Sequence, residues 1–482
     1  MSPVPQNPVG RRPQLFTGRR DFRSPYDMLM VAALIAVASA FSYRLVFYPE
    51  SNLMPFMGLA VVLTFIVWRP VIGIALYLFF YPMVPKGASI NLVKSVMLGL
   101  TVINIGIWVW QKMRVREFIW MRQEYIWIYV FFLYTGLSPF LGIINGFTVM
   151  DWARDIAPLL NLLMVPVLAE YFGEKKHRWL LLLVQAPVVF STIMYLEYYL
   201  SVFFGLPRPP GVLYIYQIST FHFGMLFCIG IIMFIQQVKP RWLWLSGGLT
   251  AMVTTAMMPT RTIWFSLGFT AAQMLSLNKR FRRLSFALGA AFIIALGWLY
   301  FSPAPQFASY RSDRKGNWMA VQTERIYGIK ERDLGMLNRV TEFEQAREIF
   351  KKSPFVGVGF GYWFTLWQYL VSFTGMSGFW TTNNLHNDVM FFLVKGGILG
   401  TLLFAVLLYN LMQRLYLIRK RHRGTALALW PTIAIIAVYN SLFVGSTTAV
   451  YQTREAIFFL AVILALGLSA YEMEPGRKDA AS

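Results

Sequence analysis

The chain has 482 residues, of which 57% are hydrophobic and 14% charged, with a formal net charge of +22. Apolar runs long enough to span a bilayer recur almost from end to end, which excludes a soluble multidomain protein and defines a polytopic membrane protein. The positive charge does not point to nucleic acid, because the basic residues concentrate in short connections between the apolar runs. The single cysteine, Cys228, excludes an intrachain disulfide and a cysteine-based metal site.

Residues 1–27 form a basic tail carrying Arg11, Arg12, Arg19, Arg20 and Arg23. Ala38 and Ala40 in the apolar run behind it imitate a signal-peptidase site, but the charged region is long for a signal peptide and the segment is expected to be retained. Spans are expected at 28–47, 52–68, 70–84, 92–110, 125–144, 153–172, 179–204, 213–236, 242–258, 262–277 and 284–301. A long polar segment, 302–386, interrupts them, and further spans follow at 387–413, 426–445 and 456–471. The predicted fold is therefore an all-α transmembrane bundle of about 12–14 spans. It has a first bundle segment at 28–301, one large extracytoplasmic loop at 302–386, a second bundle segment at 387–471 and a short tail at 472–482.

Loop charge gives the orientation. With both tails cytoplasmic, the inside loops hold Lys112, Arg114, Arg116 and Arg122, then Lys175, Lys176 and Arg178, then Lys239 and Arg241. They also hold Lys279, Arg280, Arg282 and Arg283, and later Arg414, Arg419, Lys420, Arg421 and Arg423. The short outer loops hold only Lys86, Arg154, Arg208, Arg261 and Arg454. This alternation follows the positive-inside rule and turns 302–386 outward, away from the cytoplasm.

Within that loop, RVTEFEQAREIFKK (339–352) spaces Val340, Phe343, Ala346, Ile349 and Phe350 as one helical stripe. The stripe is expected to lie on the membrane or against the outer ends of the spans. Ser353 and Pro354 end the helix. GVGFG (357–361) makes a turn; it lacks the strand–helix unit of a phosphate loop.

Candidate chemistry lies on the same outer face. Arg208, in GLPRPPG, and Arg261, in MMPTRTIW, place permanent charge in tight outer loops beside apolar runs, where a partner is expected. Two guanidinium forks suit a phosphate or pyrophosphate at the bilayer edge. Arg339, opening the loop helix, is a third candidate. His177 and His422 fall in basic inside loops, and His222 sits within a span beside Phe221 and Phe223. Only His386 faces outward next to a possible anion site, in HNDVMFFLVKGGILG (386–400). Asp151, Asp155 and Asp388 are each able to orient it or to act as a base themselves, and the sequence does not choose among them. Metal-ligand spacing is lacking, so neither metal nor cofactor is expected.

These residues resemble the bacterial O-antigen ligase and O-antigen (exopolysaccharide) polymerase superfamily, best over roughly residues 208–400. The resemblance is carried by Arg208, by Arg261 opening a span, and by Arg339, Pro354, Gly357 and Gly359. It ends with His386 and Asn387 before a glycine-rich apolar helix with Gly396, Gly397 and Gly400. Family members commonly carry an acidic residue before the first of those glycines, where this chain has Lys395. What the resemblance implies is metal-independent glycosyl transfer from an undecaprenyl-pyrophosphate-linked glycan to a glycan or lipid A-core acceptor. His386 would be the catalytic base, Arg208, Arg261 and Arg339 would hold the donor pyrophosphate, and Asn387 and the glycines would support them. Partners would be membrane lipids and polysaccharide-assembly proteins, not nucleic acid. The alternative from another class is a transporter or flippase of lipid-linked sugars. It predicts discontinuous helices and charge inside the bundle, for which Lys94, Glu197 and Lys395 are the candidates.

Overall fold

The computed structural model describes residues 69–81, 92–114, 123–173, 220–235, 241–257, 268–273, 334–368, 378–423 and 425–472, with positions 66, 179, 180, 183 and 266 between them. All belong to one unit, residues 66–482. The expected spans before residue 66 and between 274 and 333, together with Arg208, Arg261 and His177, lie outside the described residues. So do the side chains of Lys94 and His222, and Glu197.

The chain order is α1 (Pro70–Phe80), α2 (Leu92–Arg114), α3 (Ile126–Ile144) and α4 (Val149–Leu159), which a 3-10 turn (Leu160–Leu163) joins to α5 (Met164–Gly173). Then come α6 (Thr220–Ile235), α7 (Arg241–Met257), α8 (Leu334–Lys352), β1 (Phe364–Gln368) and β2 (Gly378–Thr382). The last are α9 (Asp388–Arg421), α10 (Leu429–Gly445) and α11 (Arg454–Glu472). The fold is an all-α membrane bundle, and the short antiparallel hairpin β1–β2 is an addition to what the sequence suggests. Its strands pair Phe364 with Thr382 and Trp367 with Phe379, and turn Phe364 and Leu366 into the protein.

Among the described residues, helices spanning Val96–Arg114, Val149–Gly173 and Asp388–Arg421 are long and apolar enough to cross a membrane. Local chemistry starts them. Pro70 opens α1, where its missing N–H costs nothing. α4 begins with a capping box: Thr148 accepts from the Asp151 N–H while the Asp151 carboxylate accepts from the backbone and hydroxyl of Thr148. Close packing then needs small residues: a side chain on Gly230 of α6 would meet the backbone of α7 at Trp244 and Gly248. Inside the bundle an apolar medium favours paired polar groups, as at Asn161. Tyr77 donates to Asn161 at 2.6 Å, and Asn161 donates to Tyr81 at 2.7 Å.

α9 is not one continuous helix. Gly397 has φ 63° and ψ −170°, which breaks the hydrogen-bond ladder inside an apolar run. The freed groups are taken up by the segment 354–359. Val358 and Gly359 donate to the carbonyls of Val394 (2.8 Å) and Lys395 (3.0 Å). Ile398 and Leu399 donate to the carbonyls of Pro354 (2.9 Å) and Phe355 (3.0 Å), and the Tyr134 hydroxyl donates to Gly396 O at 2.6 Å. Unsatisfied backbone in hydrocarbon costs several kcal/mol per group, so loop and break form together. This is the role of the GVGFG stretch. Gly357 has φ 73°, and a side chain there would fall on the backbone at Lys395 and Gly397.

The two ends of the bundle differ. At one end α2 finishes in Lys112 and Arg114, α9 in Arg419, Lys420 and Arg421, and Arg414 donates to Gln123 ahead of α3 at 2.7 Å. At the other, the start of α9 meets the loop after α10 and the start of α4, and α8 and the hairpin gather there.

Candidate active site

His386 ends the connection from β2 to α9. Its backbone N–H donates to Glu342 Oε1, and its Nδ1 lies 2.8 Å from Glu342 Oε2. The imidazole side chain is 53% exposed and the carboxylate 9%. A carboxylate only accepts, so Nδ1 carries a hydrogen and the neutral ring keeps its lone pair on Nε2. The arrangement is a histidine held by a buried acid, with about half of its side chain exposed.

Glu342 comes from α8, which begins at Leu334, ahead of the stretch marked by periodicity. Its inward side is Glu342 and Ala346, whereas Val340 and Phe343 of the expected packing stripe are about half exposed. One turn before Glu342, the exposed Arg339 donates from Nη1 to Thr447 O. Asn387 caps α9, accepting from Met390 N at 3.0 Å, and donates to Ser446 O at 2.8 Å. Arg339, Asn387, His386 and Glu342 thus close a ring around the turn that follows α10.

None of the carboxylates weighed from the sequence orients the histidine. Asp388 is buried and accepts from Val450 N (2.8 Å), Tyr451 N (3.0 Å) and Gln452 Nε2 (2.8 Å). Gln452 also brackets Leu385, accepting from its N–H at 2.8 Å and donating to its carbonyl at 2.7 Å. Asp151 caps α4 and accepts from Trp363 Nε1 at 2.9 Å, with Arg154 lying over the Trp363 ring at 4.8 Å. Asp155 pairs with Lys395. Sequence reasoning missed Glu342, because nothing in the sequence separates it from Glu344 and Glu348 on the same charged helix.

The glycines divide their work. Gly397 is the break; a side chain on Gly400 would run into the Tyr134 ring, 2.7 Å away; Gly396 faces the Phe360 ring at 3.7 Å with room for a methyl group. Aromatic rings fill the core beneath, with Phe392 stacked on Phe404 at 4.2 Å and Phe404 edge-on to Tyr451 at 4.9 Å.

Fold and site together define a helical membrane protein with a polar, histidine-bearing cluster at one end of its bundle. Residues 248–405 match the family model described as O-antigen ligase, which bears out the resemblance to the O-antigen ligase and polymerase superfamily and supports a membrane glycan ligase or polymerase. The matched stretch includes Arg261, Arg339, the 354–361 loop, His386, Asn387 and the glycines of α9; Arg208 precedes it. A search of curated proteins gave no match.

Proposed function

We propose that the protein transfers or polymerises an undecaprenyl-pyrophosphate-linked glycan at the outer face of the plasma membrane, with His386 as general base. The observation that carries this reading is the exposed imidazole held through Nδ1 by the buried Glu342 carboxylate. The acceptor hydroxyl oxygen bonds to the anomeric carbon of the donor as the bond from that carbon to the phosphate oxygen breaks. The hydroxyl proton goes to Nε2 of His386, and undecaprenyl pyrophosphate leaves with the bonding electrons. Glu342 stabilises the imidazolium that forms. Arg208, Arg261 and Arg339 stabilise the charge developing on the pyrophosphate. The activated linkage supplies the driving force, so the scheme calls for neither metal nor nucleotide. A ligase and a polymerase differ only in the acceptor, a lipid A-core or a growing glycan.

The orientation rests on charge. The site lies at the end of the bundle opposite Lys112, Arg114, Arg419, Lys420 and Arg421, and a basic end is the cytoplasmic one. Polysaccharide-assembly proteins that supply or receive the chain would meet the protein at the periplasmic end.

Two features speak for the alternative, a transporter of lipid-linked sugars: the break in α9 and the buried Lys395–Asp155 pair. In a transporter such a break exposes backbone to cargo. Here loop backbone fills it, and the ion pair is closed on itself and on Asn383.

The test is to give purified protein in lipid vesicles an undecaprenyl-pyrophosphate-linked glycan and an acceptor. Release of undecaprenyl pyrophosphate together with a new glycosidic product is expected. Movement of intact donor across the bilayer with no bond cleaved would favour the transporter.

A further inference from the structure

Lys395 on α9 and Asp155 on α4 form a direct ion pair, with side chains 0% and 1% exposed. Burying two charges removes the hydration of both, and apolar residues of similar volume often hold a fold as well, so such a pair is weak evidence of stabilisation alone. What the pair grips is specific. Lys395 Nζ donates to the Asn383 carbonyl at 2.8 Å, and Asn383 Nδ2 donates to Asp155 Oδ1 at 3.2 Å. Asp155 Oδ2 accepts from Gly361 N at 2.6 Å, at the end of the loop that fills the α9 break. The ammonium lies over the rings of Phe391 (4.7 Å) and Phe364 (5.1 Å), the latter in β1.

Asn383 follows β2 and begins the short run Asn383–Asn384–Leu385–His386. Leu385 is clamped by Gln452, and Asn383 is held from both sides by the ion pair. The other side of the His386–Glu342 pair is carried by Glu342 on α8. The distance between the His386 ring and its carboxylate therefore depends on two supports.

We propose that the buried Lys395–Asp155 pair is a positioning device for His386, acting through Asn383 to fix the segment 383–386 against α8. This rests on the reading of His386 as the base. Neither charged group is open to substrate, so the pair acts on the rate only through the register of the histidine. It also gives Lys395, the departure from the family's acidic residue, a definite task.

The test uses the full chain with Asn383→Ala and with the neutral double variant Asp155→Asn/Lys395→Gln. The double variant removes both charges at once and avoids a lone buried ion. Each is measured for folded yield, KM for donor, and kcat. A nitroxide on Asn384→Cys, an exposed position, reports the mobility of the segment; the native Cys228 is buried. Both variants are expected to fold, to keep KM, to lose about ten- to a hundredfold in kcat, and to mobilise the label. A pair that only stabilises the fold predicts wild-type kcat and an unchanged label spectrum in every variant that folds, and that result overturns the proposal. Should the double variant fail to fold, Asn383→Ala, which keeps both charges, decides alone. The label spectrum reads the segment even if His386→Ala proves active, so failure of the base assignment and failure of the positioning role are told apart.

Discussion

Glu342 Oε2 and His386 Nδ1 stand 2.8 Å apart, although 44 positions separate them in the chain and they belong to different elements, the loop helix α8 and the entry to α9. The same carboxylate accepts from the backbone N–H of His386, so one acid fixes both the ring and the main chain that carries it. Glu342→Gln keeps the shape and loses the charge. Its turnover is expected to fall roughly tenfold or more, up to the roughly 10²–10⁴-fold that general acid–base catalysis contributes. Donor binding should be unchanged, and steady-state kinetics on the purified variant measure both.

The break in α9 makes two adjacent glycines behave differently. Gly397 holds φ 63° and ψ −170°, a region nearly restricted to glycine, and an added Cβ would overlap the Phe355 carbonyl. Gly397→Ala should lose at least about 1–3 kcal/mol and much of its folded yield. Gly396→Ala meets only the Phe360 ring at 3.7 Å and should be tolerated. Thermal stability in detergent separates the two.

The cluster was partly legible in the sequence. His386 and Asn387 stand out because a polar pair ends a long hydrophilic segment just where an apolar run begins. Glu342 does not, since it shares its charged helix with Glu344 and Glu348 and only the fold brings it to the histidine. The break at Gly397 is hidden for another reason: hydropathy runs unbroken across it, and glycines in a span read as packing positions. What reveals it is a second glycine-rich stretch, 357–361, whose backbone completes the ladder. β1 alternates over too few residues to stand out inside a polar segment, and β2, exposed through its middle, does not alternate. Lys395 was visible as a departure from the family pattern, but its partner Asp155 lies 240 positions earlier.

Topology is tested by fusion reporters. A reporter active only outside the cytoplasm should be active when fused near Gly335, ahead of Glu342, and silent when fused near Arg421 at the basic end of α9. The opposite pattern would place the histidine cluster on the cytoplasmic side and contradict the proposed outer-face reaction.

Arg208 and Arg261 are assigned to the donor pyrophosphate from the sequence, and binding of lipid-linked donor to purified variants tests them. Lysine keeps the charge but not the planar fork. Arg261→Lys is therefore expected to bind more weakly than wild type, and Arg261→Ala more weakly still. Arg208→Ala should show the same defect. Wild-type donor affinity in both alanine variants would contradict the assignment.

Turnover of lipid-linked donor by His386→Ala and His386→Gln, with folded yield and donor affinity measured alongside, tests the central claim most directly. A general base predicts normal yield and normal donor affinity with turnover reduced by about 10²–10⁴-fold in both variants. Turnover close to wild type in both would reduce His386 to a residue that only helps close the start of α9, and would contradict the account.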